Sequence, residues 1–168
     1  MMTFVRWLVG SVLAMVALVV LLFLGARFHD GPLGPIPGGA LESGVLVEEP
    51  VADWSFAKDV SEIELQLASE DGSRTVWILV DEGRAYVPCA LGFPPGKRWY
   101  RDAVQDGRAT LRIEGRRHPV TLAKTEDPAL AERLRSEVQR KYGRLPPGES
   151  EVWIFQVASR GEGASPAR

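Results

Sequence analysis

The chain has 168 residues, with 20 Lys and Arg against 22 Asp and Glu for a net charge of −2, and one cysteine. A lone cysteine excludes an internal disulfide and a thiolate metal cluster, and leaves the redox compartment open. The charge is uneven: His29 to Gly72 holds ten acids and one base, whereas Arg84 to Arg144 holds fourteen bases and seven acids, a cationic half that suits an anionic ligand or simply neutralises the acidic half.

Behind a six-residue tail, Trp7 to Ala26 runs for 20 residues without a charge, flanked by Arg6 and Arg27. At about 1.5 Å per residue a helix of that length spans roughly 30 Å, the thickness of a bilayer's hydrocarbon core. The pattern predicts a single-pass transmembrane helix over residues 7–26. A cleaved signal peptide fits less well, because Ala26 has Leu24, and Gly25 has Phe23, where a small residue belongs. The positive-inside balance, Arg6 and the terminal amine against Arg27, predicts an inner amino terminus and an extracytoplasmic domain.

Residues 27–43 are rich in Gly and Pro and read as a linker; the stretch from Gly31 to Gly44, treated as a flexible coil, would span about 20 Å. About 115 residues then remain, 44–159, enough for one domain with one core and too few for two. A flexible tail over 160–168 closes the chain.

Within the domain, Ile63, Leu65 and Leu67 alternate with polar residues as a strand with one wet face does. Asp71-Gly72 turns the chain into Arg74–Val80, apolar on both sides and so a strand buried on both faces. Glu82-Gly83 makes a hairpin into Arg84–Leu91, where Pro88 implies an edge or a bulge and Cys89 reads as a small buried apolar group. Ala109, Leu111 and Ile113, a turn at Gly115, then Val120 and Leu122 form another pair, and Glu151–Val157 supplies a sixth strand.

Two helices interrupt these strands. Asp127 caps the longer one, Pro128 opens it, Leu130, Leu134, Val138 and Tyr142 recur every four residues, and Gly143 ends it before Pro146 and Pro147; Glu137 and Lys141 are spaced to pair on its wet side. The shorter helix is expected over Lys97–Asp106. Its charges are inverted, with Lys97, Arg98 and Arg101 at the positive end of the dipole and Asp102 and Asp106 toward the negative end, an arrangement that an anion bound at that terminus would favour. Cations extended along the surface into water explain the same pattern.

His29 and His118, with Cys89, furnish neither a zinc site nor a His-based triad, and no Gly-rich loop between strand and helix cradles a phosphate; Gly161 and Gly163 fall in a small, polar tail. The cluster Arg98-Trp99-Tyr100-Arg101 offers little for nucleic acid, so no nucleic-acid partner and no metal are expected.

The order of strands, with a short helix after the third and a longer one before the last, resembles the split β-barrel of pyridoxamine-phosphate-oxidase-like flavin proteins and deazaflavin-dependent nitroreductases, from about Ile63 to Val157. The most specific part is Gly96-Lys97-Arg98-Trp99-Tyr100-Arg101 followed by Arg108–Gly115; Asp53-Trp54-Ser55-Phe56 and the Pro-rich linker are similar to a membrane-anchored bacterial group. The resemblance implies a mainly β (α+β) fold: a six-stranded antiparallel split β-barrel with two helices, behind the transmembrane helix. It implies FMN or a deazaflavin as cofactor, with Lys97, Arg98 and Arg101 contacting a phosphate, Trp99 and Tyr100 walling the pocket, Arg74 and Thr75 facing it, and a homodimer enclosing it. Two departures stand out. The Gly-Arg-Lys-Ser-Gly-like turn of deazaflavin enzymes is Glu70-Asp71-Gly72-Ser73-Arg74 here, and the His after Trp-Tyr is Arg101. The expectation is therefore a membrane-anchored domain binding a flavin-like or other phosphorylated small molecule, an oxidoreductase if an enzyme; the alternative is a non-catalytic envelope module without a cofactor.

Overall fold

The computed structural model describes residues 2–92, 94–143 and 151–161, with side chains from residue 5. Pro146, Pro147 and Gly163 lie outside the described residues. The first element is helix α1 (Met2–Ala26). Residues 5–25 are exposed on every side, and the stretch Val5–Ala26 is long and apolar enough to cross a membrane, at a mean hydropathy of 2.8.

Among the described residues eight strands make one sheet: β1 (Val45–Leu46), β2 (Glu62–Leu67), β3 (Arg74–Trp77), β4 (Leu79–Asp81), β5 (Arg84–Ala90), β6 (Arg108–Ile113), β7 (Arg116–Lys124) and β8 (Val152–Ser159). Their order is β3-β2-β6-β7-β8-β5-β4, all antiparallel, with the short β1 added in parallel to β7. The strands at the two ends of that order, β3 and β4, are separated in the chain by Ile78 alone. One residue cannot cross a flat sheet of seven strands, so the sheet is rolled until its edges meet, as a barrel demands. The six expected strands thus become eight: β1 is added, and the strand expected over Arg74–Val80 is broken at Ile78.

The break has a local cause. Helix α3 (Pro128–Tyr142) ends over it and takes over the backbone groups that Ile78 withdraws from the ladder. The Ile78 N–H reaches the Tyr142 hydroxyl at 3.3 Å, and the Ile78 carbonyl accepts from Lys141 Nζ at 3.0 Å and shares the single hydroxyl proton, at 2.9 Å, with the Ser61 carbonyl at 2.6 Å. Lys141 Nζ also donates to the carbonyls of Lys58 and Val60, at 2.8 and 2.6 Å. Glu137, spaced to pair with Lys141, pairs with Arg140 instead. Trp77 stacks on Tyr142 with ring centroids 4.1 Å apart.

The hairpins follow their turn residues. Glu82-Gly83 and Glu114-Gly115 both have positive φ at each position, as a two-residue type I′ loop needs. Pro88 pairs with Ile154 of β8 on one side, while β4 covers only Arg84 to Tyr86 on the other, leaving Pro88 at an open edge. Inward side chains of β2, β5, β6 and β7 meet Trp54, Ala57, Trp99 and Phe155 in the barrel's interior. A second cluster lies outside, where Leu134 and Val138 of α3 cover Leu79, Tyr86 and Ile154. Asp127 caps that helix by accepting from the N–H groups of Ala129 and Leu130, and Gly143 closes it at φ 66°.

The Gly/Pro segment is bound to the barrel instead of hanging as a free coil. Arg112, with only 10% of its side chain exposed, pairs with Glu64 and with both carboxylate oxygens of Asp30, at 3.0 and 2.9 Å. Asp30 also accepts from the hydroxyl of Ser43 and the N–H of Glu42, which together with Arg112 hold its carboxyl well below the usual carboxylate range. Farther along, Ser73 Oγ donates to the Gly39 carbonyl at 2.6 Å, Thr75 Oγ1 to that of Gly34 at 2.6 Å, and the Leu41 N–H to Gln66 at 2.9 Å. A Cβ on Gly38 would lie 1.8 Å from the Gly31 carbonyl oxygen, so the close approach of strap to strap requires glycine.

Candidate functional site

Helix α2 (Trp99–Gln105) has seven residues, shorter than the span expected, and this changes the electrostatics. Lys97 and Arg98 precede its first turn, and Asp102 falls inside that turn, where a carboxylate is favourable. Asp106 is the residue at the carboxyl end, and its charge is taken by Arg108, whose Nη2 and Nε donate at 2.6 and 2.9 Å and lower the Asp106 carboxyl to about 2. Of the inversion expected for this helix, the acidic half is corrected, since Asp102 falls in the first turn and Asp106 is paired with Arg108, while Lys97, Arg98 and Arg101 do lie at the amino end.

Trp99, Tyr100 and Ala103 of α2 turn into the barrel, while Val104 is exposed. Trp99 is 5% exposed and packs on Phe155 at 5.5 Å, and Tyr100 is 7% exposed and meets Trp153 edge-on at 5.3 Å. These two aromatic faces are occupied by core contacts.

Arg74 shares the parity of Val76 on β3 and so points to the inner side of the barrel rim. It pairs with Glu70, and its guanidinium carbon lies 5.8 Å from the Trp99 ring centroid. The Arg74 Nε is buried without a hydrogen-bond partner. Beside it, Cys89 of β5 is buried, with the charge of Lys97 near its thiol. Burial pushes that thiol up, and the charges of Lys97 and Arg74 pull partly against it.

Of the residues expected to form a site, the structure gathers Arg74, Lys97 and Trp99 where β3, β5 and α2 meet, with Tyr100 adjoining. Arg98 and Arg101 are exposed next to them, Arg101 lying over the Tyr100 ring at 5.6 Å. Thr75 points to the opposite face of β3, as strand alternation requires, and its hydroxyl is engaged by Gly34. The nearness of Lys97 to Cys89 was not foreseen. The inward parity of Arg74, two residues before Val76, was a signal present in the chain.

Two open cavities lie elsewhere. One, of about 490 Å³, is polar and is lined by Thr75, Glu62, Glu64, Arg112 and Ser43 among others. The other, of about 450 Å³, lies between α1 and the strap, lined by Val19, Val20, Phe23, Leu24, Arg27 and Pro37. Among the described residues no group of three or more His, Cys, Asp or Glu side chains is placed to hold a metal ion.

No curated protein matches the chain. Solved structures similar to it include the following two. One, from Listeria innocua and described as a pyridoxamine 5′-phosphate oxidase, has 12% identity and a TM-score of 0.48, over 62% of this chain and 88% of that one. The other, a NimC/NimA family protein from Clostridium acetobutylicum, has 14% identity and a TM-score of 0.45, over 64% of this chain and 84% of that one. Residues 56–159 match the family DUF2255, described as an uncharacterized protein conserved in bacteria, and because they make up more than half of the sequence, the chain belongs to that family.

Proposed function

We propose that this protein is a membrane-anchored barrel whose rim around Arg74 binds the phosphate of a small molecule. The observation that supports this reading is the buried, unpaired Arg74 Nε in a patch that also holds Lys97 and adjoins Arg98 and Arg101. An N–H left without a partner inside a protein costs about 1–3 kcal/mol, and a phosphate oxygen is the strongest kind of acceptor to relieve it.

FMN, implied by the resemblance to split-barrel flavin proteins, fits in part. Its phosphate suits these cations, but Trp99 and Tyr100 are turned into the core and offer no open face to a flavin ring. When bound, such a group would supply the redox chemistry, and the chain's own contribution is to hold and orient the phosphate. A second copy of the chain closing over the open rim would complete a pocket. The buried aromatics favour the second reading, a non-catalytic envelope module.

Full-length protein in detergent, titrated with FMN and with inorganic phosphate by calorimetry, separates these readings. The expected result is binding of both, lost at least tenfold in Arg74→Gln and in the charge-reversed Lys97→Glu, Arg98→Glu, Arg101→Glu variant, since each charged contact contributes about 1.5–3 kcal/mol. Binding of neither by the folded protein leaves the non-catalytic module.

A further inference from the structure

We infer that the Leu33–Pro37 hairpin is a second membrane-contacting element, seated in the lipid beside α1, and that the groove between them holds the acyl chain of a phospholipid whose headgroup meets Arg27. The inference rests on reading α1 as a membrane span.

The position of the groove carries it. Its walls are Val19, Val20, Phe23 and Leu24 of α1 on one side and Pro37 on the other, with Arg27 at its end. If Ala26 marks the end of the span, Val19 lies seven residues deeper, about 10 Å into the hydrocarbon at 1.5 Å per residue. Pro37 lines the same groove and so lies between the levels of Val19 and Arg27, in the outer part of the span, with Gly39 bonded to His29 just beyond it. The segment is not free to swing away, because Asp30, Gly38 and Gly39 on either side of the hairpin and Gly34 within it are bonded to Arg112, Ser73 and Thr75 of the barrel.

The hairpin is also chemically suited to lipid. Leu33, Gly34, Pro35, Ile36 and Pro37 carry no charge, and Leu33, Gly34, Pro35 and Pro37 are exposed. Backbone groups are what make irregular chain costly in hydrocarbon. Here Pro35 and Pro37 have no N–H, and those of Leu33 and Ile36 are satisfied within the hairpin, to the carbonyls of Ile36 at 3.0 Å and Leu33 at 3.1 Å. The Gly34 carbonyl accepts from Thr75. Phe28, 90% exposed between span and strap, adds an aromatic residue of the kind that settles at the interface. An apolar groove ending in one guanidinium matches a lipid's own division into acyl chain and phosphate.

The full chain carrying Leu33→Cys, labelled with an environment-sensitive fluorophore, is reconstituted into phosphatidylcholine–phosphatidylglycerol vesicles. Cys89 is buried and stays unlabelled, so the parent chain is the blank, and Pro35→Cys replaces Leu33→Cys if that variant misfolds. Nitroxide on the lipid acyl chains is expected to quench the probe several-fold more than aqueous iodide. A probe at Val20→Cys reports on α1 separately: lipid quenching there with iodide quenching at residues 33 and 35 overturns the inference and leaves the anchor, whereas iodide quenching at Val20 removes both. With Arg27 intact, nitroxide quenching at residue 33 is expected to rise with the phosphatidylglycerol fraction of the vesicle; the rise should shrink in Arg27→Gln, and an equal rise in both overturns the headgroup contact.

Discussion

His118 sits on β7, 3% exposed, with Trp54 and Phe56 at 5.5 and 5.8 Å and neither ring nitrogen hydrogen-bonded. Burial first, and the charge of Arg116 second, push its imidazole below the usual 6.5. A group that is harder to protonate when folded contributes full stability above its unfolded value and loses it as pH falls from there through the folded value. His118→Phe keeps a ring in the aromatic cluster and removes the unpaired nitrogens, so it should gain about 1 kcal/mol at neutral pH and flatten the loss of stability as pH falls below 6.5. Denaturant midpoints across that range check both. Arg112 is the opposite case, a buried cation whose contacts are satisfied. Arg112→Met leaves Glu64 and Asp30 without their partner and should cost about 1–3 kcal/mol, with new protease cleavage between Gly31 and Gly44 as the strap loosens.

The element that closes the barrel is the carboxyl end of α3. Tyr142 and Lys141 replace the ladder bonds that Ile78 gives up, so they hold together the two strands at the sheet's ends. Tyr142→Phe keeps the stack on Trp77 and deletes these bonds, a loss of about 1–2 kcal/mol by urea denaturation at neutral pH. Burial raises the Tyr142 hydroxyl to about 12. A phenol whose folded value exceeds its unfolded one contributes stability present below pH 10 and lost as pH rises toward 12, so that alkaline slope should disappear in Tyr142→Phe. Neither Lys141 nor Tyr142 was expected in this role. Helical spacing paired Lys141 with Glu137 and set Tyr142 in the apolar stripe, and spacing along one helix carries no information about a strand break packed beneath it.

At the scale of the whole molecule, the apolar helix α1 is the element that would tie the barrel to a bilayer. Its six Leu, five Val and one Phe favour insertion by roughly 4–7 kcal/mol in sum, and each Asp near the centre opposes it by about 2.5–3.5 kcal/mol. Leu13→Asp with Val16→Asp should therefore move the protein from the alkali-resistant membrane fraction to the supernatant, while either change alone leaves most of it behind.

The apolar helix, the two tight turns at Glu82-Gly83 and Glu114-Gly115, and the caps of α3 were legible from the chain because each is set by neighbours within a few residues: hydropathy over one run, φ at two positions, one side chain against two N–H groups. Three features depended on contacts between distant residues. Ile78 leaves its strand because α3 arrives from more than sixty residues away to take its backbone bonds. The Gly/Pro segment is a mount because Arg112, 82 residues from Asp30, reaches it. Trp99 and Tyr100, which composition alone allows either to wall a pocket or to fill a core, fill the core because Phe155 and Trp153 of the last strand come to lie against them. Local preference decides the elements; which side chains remain available for a ligand is decided only when the barrel closes and the aromatic and cationic groups compete for its interior.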